Sequence, residues 1–507
     1  MTKRPNIVVI MADQLAPQFT GAYGHPLVKT PHMDALAARG TRFDAAYCNA
    51  PLCAPSRFSF MSGQLITRIA AYDNAAEFPA TIPTFAHYLR TVGYKTCLSG
   101  KMHFVGPDQL HGFEERVTTD IYPSDHAWTP DWEAPDERID KWYHNMDSVR
   151  EAGEAMTTFQ IEYDEETAFF ARRKIFDYAK DKAGPFCMVA SFIHPHDPYV
   201  ARPEFWNLYS DDEIDMPDTD YPLDPHSKRL MVGIEADAVA VTDQEIRNAR
   251  RAYYANTSYF DSKVGEIVQA VEEAGFGDNT IFVVTSDHGD MLGERGLWYK
   301  MNFFEHSGRV PMIMAGPGIK HQTVSSPCSL VDLLPTFLDA GGVDDDQIGM
   351  PIDGRSLLPV ASGTPDTGDT AIGEYCAECA SHPIFMIRRG DWKYLHCEVD
   401  PPMLFNITDD PAEKVNLADD PACAERLAAF QAEVAARWNS EELRLNIIAT
   451  QKQRRAIHAA MQEGKLVSWD YNPPRDASQE YVRNHMDWTE AAEKTRFPPL
   501  EGAKARS

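Results

Sequence analysis

Asn49-Ala50-Pro51-Leu52-Cys53-Ala54-Pro55-Ser56-Arg57, followed by Met61-Ser62-Gly63, is the stretch on which the reading of this 507-residue chain turns. Pro55 can open a helix, because its fixed φ suits the first turn and its missing N–H would be unpaired there anyway. Cys53 then stands at the positive end of a helix dipole, where an anion is favoured. Arg57, one turn further in, adds a fixed guanidinium. Taken alone, the run is equally a half-buried cysteine ahead of a helix. Its meaning depends on what converges on it.

The surroundings bound the answer. With 43% hydrophobic residues the chain can bury a large core in one to three domains. Lys plus Arg is 48 and Asp plus Glu is 76, giving a net charge of −28. Such a field repels nucleic acid and anionic membranes and would favour cationic ligands, although surplus surface carboxylates also serve solubility. The apolar run Asn6–Ala12 ends in Asp13 and is too short for a signal segment, and no stretch approaches the roughly 20 apolar residues of a membrane span. A cytoplasmic location is the expectation. Nine scattered cysteines do not form a disulfide framework, and Cys376-Ala377-Glu378-Cys379 lacks the second pair or histidines that a zinc site needs.

Apolar strands alternate with amphipathic helices through the first two-thirds. Strands are predicted at Ile7–Ala12, Tyr94–Leu98, Phe186–Ile193, Thr280–Thr285 and Val310–Met314. Helices are predicted from Thr30-Pro31 to Gly40, from Ile82-Pro83-Thr84 to Gly93, from Asp243 to Ala274 and from Leu330 to Ala340. This is an α/β pattern with a mostly parallel sheet, and ligands of such sheets bind at the carboxyl ends of strands. Asp13, His103, His196 and Asp287 all follow predicted strands closely, which is the reason to expect that they meet. The expected division is a catalytic α/β domain over residues 1–365, a smaller α+β subdomain over 366–465, and a tail over 466–507. The subdomain carries a hairpin of Phe385–Arg388 and Trp392–Cys397 and a helix near Cys423–Trp438, and the Gly363–Gly368 connector precedes it.

The run from Cys53 to Arg57 resembles the signature of type I sulfatases, in which the cysteine is oxidised to formylglycine by a dedicated maturation enzyme. The resemblance implies an alkaline-phosphatase-like fold and a hydrated formylglycine nucleophile at Cys53, held by Arg57. Asp13-Gln14 and Asp287-His288 look like the family's metal site. Their oxygens suit Ca²⁺ or Mg²⁺, and His288 leaves Mn²⁺ open. Many relatives carry a second Asp where Gln14 stands and Asn where His288 stands. Ser99-Gly100-Lys101-Met102-His103 resembles the G-K-x-H element, with Lys101 toward sulfate and His103 as the base for sulfate release. His196 in His196-Asp197-Pro198 and Lys300 in Gly296–Lys300 match the remaining basic positions, while His194 fits no family role.

The segments Gly106–Arg116, Thr118–Pro123, Trp128–Asp131, Trp142-Tyr143-His144-Asn145, His194–Val200 and Met301–Glu305 are similar to choline sulfatases, and the likeness reaches Arg483–Met486. It implies choline O-sulfate as substrate and a homo-oligomer, dimer or tetramer. Trp128, His144 and Asn145 would receive the trimethylammonium group, which needs aromatic faces and a nearby negative charge. Asp487 or Glu490 from the tail, of this or a neighbouring subunit, would supply that charge. The segment Ala16–His25 and the tail after Met486 depart from those relatives. They leave open another small alkyl or aryl sulfate, or a phosphonate or phosphate monoester. A binding protein for cationic osmolytes on the same scaffold is the reading from outside enzymology.

Overall fold

The computed structural model describes residues 4–135, 144–366, 368–485 and 487–499. Trp142, Tyr143, Thr367 and Met486 lie outside the described residues, as does the side chain of Glu490.

An eight-stranded sheet is built from β1 (Asn6–Asp13), β2 (Thr41–Phe43), β3 (Lys95–Gly100), β4 (Glu115–Arg116), β5 (Phe186–Pro195), β6 (Thr280–Ser286), β7 (Met312–Ala315) and β8 (Gln322–Val324). Its order is β8-β2-β7-β6-β1-β5-β3-β4. The run from β6 through β1, β5 and β3 to β4 is parallel throughout. Both faces of β1 are buried: Val8, Ile10 and Ala12 enter one core, and Ile7, Val9 and Met11 enter the other. That double burial explains why β1 reads as a continuous apolar run instead of an alternating one. The layers include α1 (Pro31–Ala38), α2 (Cys53–Ser62), α3 (Phe85–Thr91), α4 (Phe159–Lys180), α5 (Asp243–Glu273) and α6 (Leu333–Gly341).

Three expectations change. The strand foreseen at Val310–Met314 is β7, and it runs antiparallel to both β6 and β2. Pro311 has no N–H for a ladder, so pairing begins only after it. The helix foreseen to open at Pro55 begins at Cys53, with Leu52 extended at φ −159°. Proline at the third position is tolerated because the first turn's N–H groups lack intrahelical partners. The helix foreseen from Leu330 is a 3₁₀ turn, Leu330–Asp332, followed by α6.

The C-terminal part holds a second, antiparallel sheet of β9 (Thr370–Tyr375), β10 (Ile384–Arg389), β11 (Trp392–Cys397) and β12 (Met403–Asn406). The foreseen hairpin is its centre. The helices α7 (Ala424–Arg437) and α8 (Ser440–Gln462) follow. Phe430 and Val434 of α7 close a small core with Phe385, Ile387, Tyr394 and Leu404. Among the described residues no helix is long and apolar enough to cross a membrane.

Candidate active site

The parallel order β6-β1-β5-β3 brings four carboxyl ends side by side. Asp13 ends β1, Lys101 follows β3, His196 follows β5 and Asp287 follows β6. The turn after β3 needs Gly100: its φ is +97°, and a Cβ there would lie 1.9 Å from the Ser191 carbonyl oxygen. Gln14, His103, Tyr299 and Met301 also adopt positive φ, at 64°, 59°, 65° and 74°. Left-handed backbone at non-glycine residues is costly and gathers where side chains must be aimed.

Cys53 is the first residue of α2, and Asn74 Oδ1 accepts the next N–H of that turn at 3.0 Å. Its Sγ lies 3.3 Å from His288 Nε2 and 3.7 Å from Asp13 Oδ1. Arg57 is wholly buried and fully paired. Its Nη2 donates to Asp13 at 2.9 Å, Nε to Asp287 at 2.8 Å, and Nη1 to the Lys101 carbonyl at 2.7 Å and Ser191 Oγ at 2.8 Å. Lys101 is ion-paired with the second carboxylate oxygen of Asp13. Lys300 Nζ donates to Gln14 Oε1 at 2.5 Å and lies 2.9 Å from His196 Nε2. His194, expected to be structural, turns away and bonds Asp164 at 2.7 Å.

Asp13, Cys53, Asp287 and His288 each place a ligand-type atom within 4.8 Å of the others. Two carboxylates and an imidazole form a donor set that fits a hard or borderline divalent cation. Gln14 borders this group, its backbone N–H donating to Asp287 Oδ1 at 3.0 Å.

A cavity of about 220 Å³ opens from Cys53 and Lys300. Its walls include Trp128, His144 and Asn145, so both ends foreseen in the sequence share one space. His144 stacks on Tyr299 with centroids 4.4 Å apart and bonds Asp197 at 3.1 Å. His103 stands between the two ends, 5.1 Å from the ring of Tyr122 and 5.6 Å from that of Trp128. Both of its ring nitrogens are buried without a hydrogen-bond partner. Such orphans are costly, which points to a partner that arrives with the ligand. Asp487 is exposed and is not among the described residues lining the cavity.

Several wall residues escaped the sequence reading, Tyr122 and Glu378 among them. Tyr122 sits under Lys101 Nζ, 4.2 Å from the ring centroid, and lies within a stretch quoted above only for its likeness. Glu378 was passed over because its neighbours Cys376 and Cys379 drew attention to thiol chemistry. Its carboxyl is buried in the wall with Oε2 unbonded.

Charge states follow from burial. The Cys53 thiol is pushed up to about 12 by desolvation and by Asp13. Burial alone would raise Asp13, but Lys101, His196 and Arg57 overcome it and hold the carboxyl well below its usual range. Desolvation, with Lys101 beside it, lowers His103 to about 3, and His288 falls to about 4 by burial. His196 is lowered strongly by burial and Lys300. Lys300 is raised despite burial, by the anionic groups around it. Glu378 rises to about 8 through burial and the nearby Asp73.

A buried group at a helix start, flanked by acids from neighbouring parallel strands and by Arg57, Lys101 and Lys300, defines an ester hydrolase of the alkaline-phosphatase-like class. The comparisons narrow that class. The chain belongs to the sulfatase family, whose model matches residues 5–343. The profile for the C-terminal part of choline sulfatase enzymes matches residues 446–497. A choline-sulfatase of Rhizobium meliloti (strain 1021) is 46% identical, over 98% of this chain and 99% of that one. Arylsulfatase K of Danio rerio is 30% identical over 81% of this chain and 79% of its own. A phosphonate monoester hydrolase of Agrobacterium radiobacter shares the fold, with a TM-score of 0.69 at 22% identity, covering 88% of this chain and 96% of that one.

Proposed function

We propose that this sulfatase hydrolyses choline O-sulfate to choline and sulfate. The observation that carries the reading is a single cavity whose walls include Cys53 and Lys300 together with Trp128, Tyr122, His144, Asn145 and the buried Glu378. Aromatic faces and a carboxylate suit a quaternary ammonium, which offers no proton to hydrogen-bond. The 46% identity to a choline-sulfatase along nearly the whole chain supports the same substrate.

Cys53 acts as formylglycine, whose hydrate supplies the attacking hydroxyl. As a thiol pushed up to about 12 it would stay protonated near neutrality, a poor nucleophile without conversion. Arg57 and Lys101 both pair with Asp13, which lies against Cys53 Sγ, so they would fix this side chain, and Lys101 would face the sulfate. Asp13, Gln14, Asp287 and His288 would hold a divalent cation, calcium first and magnesium or manganese as alternatives. When bound, it would polarise the sulfate for attack.

The leaving alkoxide is strongly basic and needs a proton. Lys300 keeps its proton and contacts His196 at 2.9 Å, so the pair can deliver one to the departing choline oxygen. His103 is neutral at rest and can accept a proton during sulfate release. A formylglycine-generating enzyme must act first, and a cytoplasmic homo-oligomer is the setting we propose. Exposed Trp488 and Tyr481 on the tail support the oligomer.

Purified enzyme compared on choline O-sulfate, an aryl sulfate and phenylphosphonate tests the substrate, and a clear preference for phosphonate overturns the proposal. The mass of the tryptic peptide containing Cys53 tests the nucleophile. Only unmodified cysteine in active protein would refute it.

A further inference from the structure

Behind Gln14 lies a carboxylate to which the catalytic reading gives no part. Asp290 is fully buried, and every acceptor position on it is taken by a donor. Its Oδ1 accepts the backbone N–H groups of Leu292 at 2.8 Å and Tyr299 at 3.0 Å. Its Oδ2 accepts Gln14 Nε2 at 2.7 Å and the Tyr199 hydroxyl at 2.8 Å. The same Gln14 nitrogen gives its other hydrogen to Asp197 Oδ1 at 3.2 Å. Gln14 Oε1 faces Lys300 Nζ, which can only donate. An amide can be turned end for end, and these partners permit one orientation only.

We propose that Asp290 is a positioning residue that locks the amide of Gln14 with its nitrogen on Asp290 and Asp197, leaving its oxygen, on the Lys300 side, as the atom a cation could use. A carboxamide standing beside the acid Asp13 is a usable oxygen ligand only in that orientation, because a flipped amide would present N–H bonds to a cation. Tyr199 and the two backbone N–H groups fix Asp290 in turn, so the lock is anchored in the polypeptide and does not depend on a mobile side chain. The inference rests on the reading of Gln14 as a metal ligand.

Asparagine at position 290 makes the argument testable. The backbone N–H groups of Leu292 and Tyr299 cannot reorient, so the Asn oxygen must face them and its NH₂ must face Gln14. The two NH₂ groups then oppose each other, which favours the flipped glutamine against the hold of Lys300 and Asp197. Calcium binding to the purified protein, measured by isothermal titration calorimetry, is the readout, with thermal melting as the fold control. Asp290→Asn should weaken calcium binding by about tenfold or more, the scale of lost outer-shell support.

Gln14→Glu alone, though it adds an acid to the site, should also weaken binding, because Asp290 and Asp197 then face a carboxylate. Combined with Asp290→Asn, the same change should strengthen binding, since the Asn NH₂ can hold a Glu oxygen while the other faces the cation. That reversal of sign is what a merely structural Asp290 would not produce. Tighter calcium binding by Gln14→Glu alone overturns the lock, as does wild-type affinity in folded Asp290→Asn. If Asp290→Asn does not fold, the single Gln14→Glu variant decides. Unchanged affinity in Gln14→Ala would instead remove the ligand reading itself, and the lock with it.

Discussion

At the scale of single residues the cavity wall is an electrostatic device, and Glu378 is its titratable part. Burial and Asp73 push this carboxyl up to about 8, so the empty cavity is mostly protonated there near neutrality. A quaternary ammonium cannot give up a proton and stabilises the carboxylate, so binding the cation expels the Glu378 proton below that value. The sign is therefore fixed. KM for choline O-sulfate should fall as pH rises from about 6 to 8, by at most about tenfold per unit, and level off above. Glu378→Gln should remove the slope in that window and raise KM at about pH 9, with a smaller effect on a neutral aryl leaving group. A flat wild-type KM across the window, or a slope that survives in Glu378→Gln, would exclude Glu378 from the cation's surroundings. The ring of charged groups was legible in sequence because Asp13, Lys101, His196 and Asp287 each stand at or next to the end of a strand, and parallel order does the rest. Glu378 and Asp290 were not, because their parts are set by Asp73 and Gln14, partners distant in the chain.

At the scale of elements, the second sheet and the long C-terminal helix brace the site. Lys393 on β11 is fully buried, and its Nζ donates to the Phe303 carbonyl at 2.7 Å and Glu305 at 2.9 Å and pairs with Glu413 at 2.6 Å. It thereby ties the segment just after Lys300 to the C-terminal sheet. Lys393→Met would leave two carboxylates buried together with only Arg309, 4.0 Å from Glu305, as a paired counter-charge. The cost should be about 3–5 kcal/mol, read as a lowered urea midpoint. A loss below about 1 kcal/mol would show that Glu305 and Glu413 find other partners. On α8, Arg454 grips Asp73 through two bonds of 2.6 and 2.7 Å, and Gln451 accepts the Trp132 N–H at 2.9 Å, holding the segment that carries Trp128. The tail packs on its own chain beside the same segment, with Asp470 accepting from Ser124 Oγ at 2.9 Å and Trp469 against His126 at 5.3 Å. The strands of the main sheet could be read because burial on both faces makes them continuous apolar runs. The helix α8 could not, since its buried face is Ile447, Ile448, Gln451 and Arg454, half of it polar. Its order comes from paired charges and not from an apolar stripe, so periodicity carries little trace of it.

At the scale of the whole molecule, the net charge of −28 surrounds a centre that holds three buried cations. Arg57, Lys101 and Lys300 are at most 1% exposed, so salt screens them little, whereas the surface carboxylates act through water and are screened within about 10 Å at 0.1 M salt. The two fields can therefore be separated by ionic strength. Choline O-sulfate carries one positive and one negative group and has no net charge for the outer field to repel, while a simple aryl sulfate is an anion and is repelled on approach. Between about 10 and 200 mM sodium chloride, kcat/KM for the aryl sulfate should rise by about two- to fivefold, and that for choline O-sulfate should change by less than about 1.5-fold. The surface charge would then act as a filter that discriminates before any contact with Trp128 or Glu378, adding to the selectivity of the cavity. If both substrates respond alike, the acidic surface serves solubility alone, and discrimination lies wholly in the cavity wall. Glu378→Gln separates the two contributions: it alters a buried group, so it should change KM for the zwitterion while leaving the salt response of the aryl sulfate as it was.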